Sequence, residues 1–210
     1  MNFKSEGIVL SRKSFQEADR LVTFYTRDYG KITCIAKGVK RPKSRKAGHL
    51  ELATYCTIFV VKGKNMDILT EVETKKAFGL ENLPSQKTNE IYHLLELIDN
   101  LTPTNQKNKE VFDLLVSFLK VIKENNNYEL LLVAFKIKLL SMLGFFSSKN
   151  LKDSKSKDLL QNFETKDLQT LHKKFKTGYK YLKLLAFLDS IIEKITERKL
   201  KTSRFIHAQI

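Results

Sequence analysis

The chain has 210 residues, 42% of them hydrophobic and 10% aromatic, which provides for a buried core and speaks against global disorder. Lys and Arg number 38 against 23 Asp and Glu, a formal charge of +15 that favours a polyanionic partner, nucleic acid or an anionic membrane surface. No apolar run approaches the length of a membrane span, and two cysteines without a CxxC spacing exclude a four-cysteine zinc site.

Residues 1–78 carry a β pattern. Gly7 to Leu10 reads as a first strand and Arg20 to Thr26, rich in β-branched and aromatic residues, as a second. Asp28-Tyr29-Gly30 is a tight turn into a third strand, Lys31 to Lys37, with Ile32, Cys34 and Ala36 on one face. A long fourth strand is expected over Leu50 to Lys62, where Leu52, Cys56, Ile58 and Val60 alternate with Tyr55, Phe59 and Val61. Gly63-Lys64-Asn65 turns the chain into a fifth, Met66 to Thr74, with Ile68, Thr70 and Val72 on one face. Five strands with short turns and one long loop suit a small closed barrel of the OB type. Cys34 and Cys56 lie in strand runs and read as buried structural thiols.

The long loop is the most informative segment. Lys37, Lys40, Arg41, Lys43, Arg45 and Lys46 place six cations in ten residues with no acid among them. Gly38, Pro42, Ser44 and Gly48 break helix and strand alike, so the segment is a loop, and so many charges cannot be buried. A polyanion is the natural partner, because such cations neutralise phosphates and release condensed counterions. Arg27 and Lys31 flank Tyr29 in the turn before it and join the same candidate set. Phe15, Tyr25, Tyr29, Tyr55 and Phe59 are candidate stacking platforms, with Tyr29 the best placed.

From Gly79 the period becomes helical. Ile91, Leu94, Leu95 and Ile98 share a face, as do Val111, Phe112, Leu115, Phe118, Leu119 and Ile122. Pro103 separates these helices and Asn125-Asn126-Asn127 ends the second. Leu131, Leu132, Phe135, Leu139 and Met142 form a third, stopped by Gly144 at C′. Residues 147–162 are polar and weakly patterned and read as a loop with a marginal turn of helix, after which Thr165 is a candidate cap for a short helix through Leu168, Leu171 and Phe175. Beyond Gly178 a long amphipathic helix carries Leu182, Leu185, Leu188, Ile192 and Ile195. The class expected is α+β: a five-stranded OB-fold barrel over 1–78, then an all-α helical bundle over 79–210.

The motifs resemble, in order, those of the RecO family of bacterial recombination mediators. Glu6-Gly7-Ile8-Val9-Leu10 and Glu17-Ala18-Asp19-Arg20-Leu21 look like its first hairpin, and Thr26-Arg27-Asp28-Tyr29-Gly30-Lys31 like its second turn. Ala36 to Arg45 is similar to its glycine-plus-basic loop almost position by position. Phe135-Lys136-Ile137-Lys138-Leu139-Leu140 with Leu143-Gly144-Phe145 resembles its helical motif, and Lys199-Leu200-Lys201-Thr202-Ser203-Arg204-Phe205 its C-terminal basic turn. One departure stands out. Many RecO-like proteins carry four zinc-binding cysteines after the Leu-Gly-aromatic turn, whereas residues 145–175 here hold none, and His172 is their only histidine.

The resemblance implies a nonenzymatic DNA-repair protein of the RecF pathway. Such a protein anneals complementary single strands and helps load the RecA recombinase onto DNA coated by single-stranded DNA-binding protein. Its implied partners are single- and double-stranded DNA, RecR, the acidic C-terminal tail of single-stranded DNA-binding protein and, indirectly, RecA. The resemblance adds Arg198, Lys199, Lys201 and Arg204 to the DNA-contacting set, where the residues alone suggest cations offsetting a helix dipole. It suggests Lys136 and Lys138 as rim cations of a groove for the acidic tail. No catalytic residue, cofactor or metal is expected: Glu17 with Asp19 and Glu71 with Glu73 are scattered pairs, and no GxxxxGK[ST] loop is present. With no apolar signal region at Met1 to Glu6, a cytoplasmic, nucleoid-associated protein without membrane contact is expected. Two other readings stay open. One is an RNA-binding OB module of the ribosome or tRNA; the other is a scaffold whose charge reflects a Lys-, Asn- and Ile-rich composition.

Overall fold

The structure is a computed structural model that describes residues 2–124, 128–150, 154–174 and 180–207. The chain divides into two compact units, residues 1–83 with 95–116 and residues 84–94 with 117–210.

The first unit is built on five strands: β1 (Asn2–Phe15), β2 (Asp19–Thr26), β3 (Gly30–Ala36), β4 (Tyr55–Val61) and β5 (Asp67–Lys76). They close into a barrel in the order β1-β2-β3-β5-β4, the OB arrangement expected. Closure requires one strand to serve two neighbours, and β1 does so along its 14 residues. Its first half pairs with β4, from Asn2↔Val61 to Ile8↔Tyr55, and its second half with β2, from Gly7↔Thr26 to Phe15↔Asp19. The ring is completed by a short parallel contact of β3 with β5 at Cys34↔Asp67 and Ile35↔Ile68.

Alternation places Val9, Val22, Phe24, Ile32, Cys34, Ala36, Cys56, Ile58, Val60 and Leu69 inside the barrel. Each large apolar side chain enclosed there contributes about 1.5–3 kcal/mol. Cys34 and Cys56 are free buried thiols, each pushed up to about 12, chiefly by burial. Residues 95–116 cover part of the outer face. The Tyr55 and Phe112 rings meet edge to face at 6.1 Å, and the fully buried Tyr25 donates its hydroxyl to the Asn108 carbonyl at 3.4 Å.

Three strand expectations differ from the structure. The first strand runs over Asn2–Phe15, beyond Gly7 to Leu10 at both ends, because it serves two neighbours. The fourth strand begins at Tyr55, not Leu50; Ala47–Leu50 is a 3-10 turn, and Ala53 turns the chain at φ +61. Leu50 and Leu52 mimic a strand period because both pack on the barrel core from this turn. On β5 it is Leu69 that is buried, while Thr70 is exposed. A bulge on β5 at Thr70 breaks the period, so that Leu69 and Val72 both face inward.

The helices are α1 (Ser85–Leu101), α2 (Lys109–Glu124), α3 (Tyr128–Met142), α4 (Ser154–Thr165), α5 (Leu168–Lys174), α6 (Lys180–Thr196) and α7 (Ser203–His207). The Asn108 side chain caps α2 by accepting from the Val111 N–H at 3.1 Å. Helix α3 is buried on every side from Leu130 to Leu140, as a central helix must be. It ends in a Schellman motif: Phe145 N–H donates to Leu140 O at 2.8 Å and Gly144 N–H to Ser141 O at 3.0 Å, with Gly144 at φ +81.

The segment expected to be a loop with a marginal turn of helix holds a full helix, α4, anchored by Phe163, which is fully buried and meets the Tyr181 ring at 6.4 Å. The cap of α5 is Asp167 rather than Thr165. Its carboxylate accepts from the Thr170 N–H at 2.8 Å and the Thr170 hydroxyl at 2.6 Å, whereas Thr165 is the last residue of α4. Asn125–Asn127, Phe175 and Gly178 lie outside the described residues. Among the described residues no helix is long and apolar enough to cross a membrane.

Candidate nucleic-acid interface

The basic loop leaves β3 on a fixed stem. Gly38, at φ +65, donates its N–H to Asp19 Oδ1 at 2.7 Å, and Lys40 N–H donates to Ala18 O at 2.9 Å. Between these bonds Val39 inserts into the barrel core with 1% of its surface exposed. The turn continues through Arg41 N–H to Gly38 O and Ser44 N–H to Arg41 O. Glycine is favoured at the αL position, and the buried valine pins a segment that is otherwise mostly charged. The result is a loop with a rigid base and free tips.

The side chains of Lys37, Lys40, Arg41, Lys43 and Arg45 are exposed, and among the described residues no ion pair holds any of them. Lys40 reaches only the Gln16 carbonyl, at 3.4 Å. Lys46 is half-buried and donates to the Leu69 carbonyl at 3.3 Å. An open depression of about 650 Å³ lies between the β1–β2 turn, Gln16–Asp19, and Lys37, Gly38 and Arg41. Lys37 and Arg41 line this depression opposite Glu17 and Asp19, and the five exposed cations together give the loop a positive surface suited to a phosphate chain.

Arg27 and Lys31 have different surroundings. Arg27 lies 3.5 Å from Glu6 and 3.9 Å from Asp113, and Lys31 lies 3.2 Å from Asp99 and bonds to the Asp99 carbonyl. Glu6 also accepts from Lys75 and Tyr55; these bonds and the nearby cations hold its carboxyl below the usual range against the opposing effect of burial. Both candidate cations are therefore already partnered, by acids far away in sequence.

Among the candidate stacking residues Tyr25 is enclosed. Tyr29 is 39% exposed and lies against Phe3, ring centres 4.1 Å apart at a 39° tilt. Lys4 sits over the half-buried Phe59 ring at 4.9 Å, beside a depression of about 390 Å³ bounded by Asn2–Lys4, Phe59–Val61, Thr70 and Glu71. Phe3 and Lys4 were not singled out from the sequence. The alternation Phe3, Ser5, Gly7 on a strand long enough to begin at residue 2 was the available signal.

The C-terminal basic turn follows α6. Arg198, Lys199 and Lys201 are exposed, while Leu200 is buried and its N–H donates to Glu193 Oε1 at 2.8 Å. The side chain of Arg204 lies outside the described ones. Lys136 and Lys138, expected at the rim of a peptide groove, are placed differently. Lys136 is fully buried with its ammonium 2.5 Å from Asp189 Oδ1, and Lys138, 7% exposed, donates to the Glu164 carbonyl at 2.8 Å. Helix α3 is covered on both lysine-bearing faces, which removes the rim.

Comparison with known proteins places this geometry. Residues 1–78 match the family described as recombination protein O N terminal, and residues 91–148 the one described as recombination protein O C terminal. The chain is 33% identical over 144 residues to the DNA repair protein RecO of Symbiobacterium thermophilum, covering 68% of this chain and 57% of that protein. It is 29% identical over 143 residues to the DNA repair protein RecO of Pelotomaculum thermopropionicum, covering 68% and 56%. It is 32% identical over 144 residues to that of Dehalococcoides mccartyi strain 195, covering 69% and 57%. The chain thus spans a little over half the length of these curated relatives. With a five-stranded barrel where the N-terminal family lies and a helical region after it, the chain belongs to the RecO family.

Proposed function

We propose that this chain is a DNA-repair protein that holds DNA by its phosphates and brings complementary strands together without consuming nucleotide. One observation carries the reading: five exposed cations, Lys37, Lys40, Arg41, Lys43 and Arg45, project from a loop whose base is fixed to the barrel, with no ion pair to a carboxylate among the described residues. Phosphate contacts carry no base information, so binding is independent of sequence. A cationic surface screens the repulsion between two backbones. Pairing then runs downhill by about 1.4 kcal/mol per base-pair step. Tyr29 on Phe3, and Phe59 under Lys4, offer aromatic surface for unstacked bases.

The names of the relatives support repair as the setting. RecR, the RecA recombinase and the acidic tail of single-stranded DNA-binding protein are proposed as partners in a nucleoid-associated, cytoplasmic role. With Lys136 and Lys138 both buried, neither is proposed as a contact for the acidic tail.

The test is ATP-free annealing of complementary oligonucleotides, with salt-dependent binding alongside. Changing Lys40, Arg41, Lys43 and Arg45 together to Ala should slow annealing and lower the slope of log K against log salt by roughly 3, at 0.7–0.9 per lost phosphate contact. An unchanged slope and rate would remove the loop from the mechanism. Competition between DNA and RNA of matched sequence separates this reading from an RNA-binding barrel.

A further inference from the structure

The helical unit encloses a chain of polar groups that the loop mechanism does not use. Lys136 in the middle of α3 is fully buried and pairs with Asp189 of α6 at 2.5 Å. The same oxygen of Asp189 lies 3.3 Å from Nε2 of His93, a fully buried residue of α1. The other ring nitrogen, Nδ1, is 2.7 Å from the Thr202 hydroxyl. The contacts therefore run from the centre of the bundle to residue 202, within the turn that carries Arg198, Lys199 and Lys201.

The Asp189 oxygen stands at ion-pair distance from Nε2 without a hydrogen bond to it, while Nδ1 is bonded to the Thr202 hydroxyl, so an imidazole enclosed by the bundle gives that hydroxyl one defined partner. A buried ion pair is weak evidence for stability, since apolar groups of equal volume often serve as well. Such groups are better explained by the position they impose. Here the position imposed is that of Thr202, adjacent to Lys201. The turn is also held at Leu200, through its buried side chain and its N–H on Glu193, and at Ser203, whose hydroxyl donates to the Leu200 carbonyl. Thr202 adds an attachment beyond Leu200, on the side where the chain enters α7. Exposed cations spaced along a turn match successive phosphates only while the backbone beneath them keeps one shape.

We propose that His93, enclosed beside Asp189 and bonded through Nδ1 to Thr202, is a positioning residue that sets the C-terminal cationic turn for contact with a sugar-phosphate backbone. This rests on the DNA-binding reading above and extends it to a second surface, controlled from inside the bundle.

The experiment measures binding of the whole chain to a labelled oligothymidine across a salt series, with thermal melting of each variant as a check on folding. Thr202→Val, which keeps shape and removes the hydroxyl, should lower the slope of log K against log salt by roughly 0.7–1.4, one or two phosphate contacts. Thr202→Ser should keep the wild-type slope. His93→Asn carries an amide at the Nδ1 position and should behave like Thr202→Ser; His93→Gln reaches toward the Nε2 position and should behave like Thr202→Val. Should Thr202→Val not fold, the two His93 variants decide. A wild-type slope in folded Thr202→Val, or equal slopes for the two His93 variants, overturns the proposal and leaves the basic loop untouched. A wild-type slope after Lys199→Ala with Lys201→Ala shows instead that this turn meets no phosphate, and the second surface falls with it.

Discussion

Glu90 sits beside Lys136 and Asp189 with 4% of its surface exposed. Burial pushes its carboxyl up to about 8; the Lys136 ammonium opposes the rise, and the Glu129 and Asp189 carboxylates add to it. The same burial pulls Lys136 downward, against the favourable pull of Asp189. The consequence for stability has a definite sign. The folded protein keeps the Glu90 proton up to about pH 8, while an unfolded chain releases it near 4.5. Between those values the unfolded state binds fewer protons, so this contribution to stability falls as pH rises. The melting temperature should rise as pH is lowered from 8 toward 5, and Glu90→Gln should flatten that dependence. An identical pH profile in the variant would show that Glu90 is not the group responsible. The family resemblance together with their charge put Lys136 and Lys138 at a groove rim, and neither tells whether the helix is enclosed. The unbroken buried run on either side, Leu130 to Leu140, was the sign that this helix has no wet face.

Among the elements, the strands were legible where alternation was unbroken and the turn residues stood apart. Gly30 shows how firmly one such turn is specified. It lies at φ +66, and a Cβ there would fall 1.9 Å from the Gln106 carbonyl oxygen. Gly30→Ala should cost about 1–3 kcal/mol, read as a lower denaturant midpoint. Gly48→Ala, with open space around its Cβ and no positive φ, should stay within about 0.5 kcal/mol of wild type. Equal effects of the two would refute the close-approach argument. The misread elements failed for local reasons. Leu50 and Leu52 kept a strand-like spacing while packing from a turn, and one extra residue at Thr70 moved the inward face by a register. Helix α4 was hidden because a polar helix needs few apolar anchors, and Phe163 alone did not reveal a period.

For the whole molecule, a charge of +15 makes attraction to polyanions general. Affinities for random-sequence single strands of equal length and composition should agree within about twofold, because contacts to phosphates carry no base information. A preference of about tenfold for one sequence would contradict phosphate-based holding. The basic loop was legible because its cations are contiguous and no acid lies among them. Arg27 and Lys31 looked equivalent, yet Glu6, Asp99 and Asp113 reach them from distant parts of the chain, which a linear reading does not see. The histidine beneath the C-terminal turn was equally invisible, since His93 and Thr202 are joined only by the fold.

The double pairing of β1 has a consequence for the order of events during synthesis. Asn2 finds its place only against Val61, and β3, already paired with β2, gains its second neighbour only when β5 has been made. A ribosome therefore releases the cationic loop before the strands that close the ring beneath it. Until β4 and β5 emerge, a nascent chain presents its cationic loop on an open sheet, with Val39 still lacking the core that later encloses it.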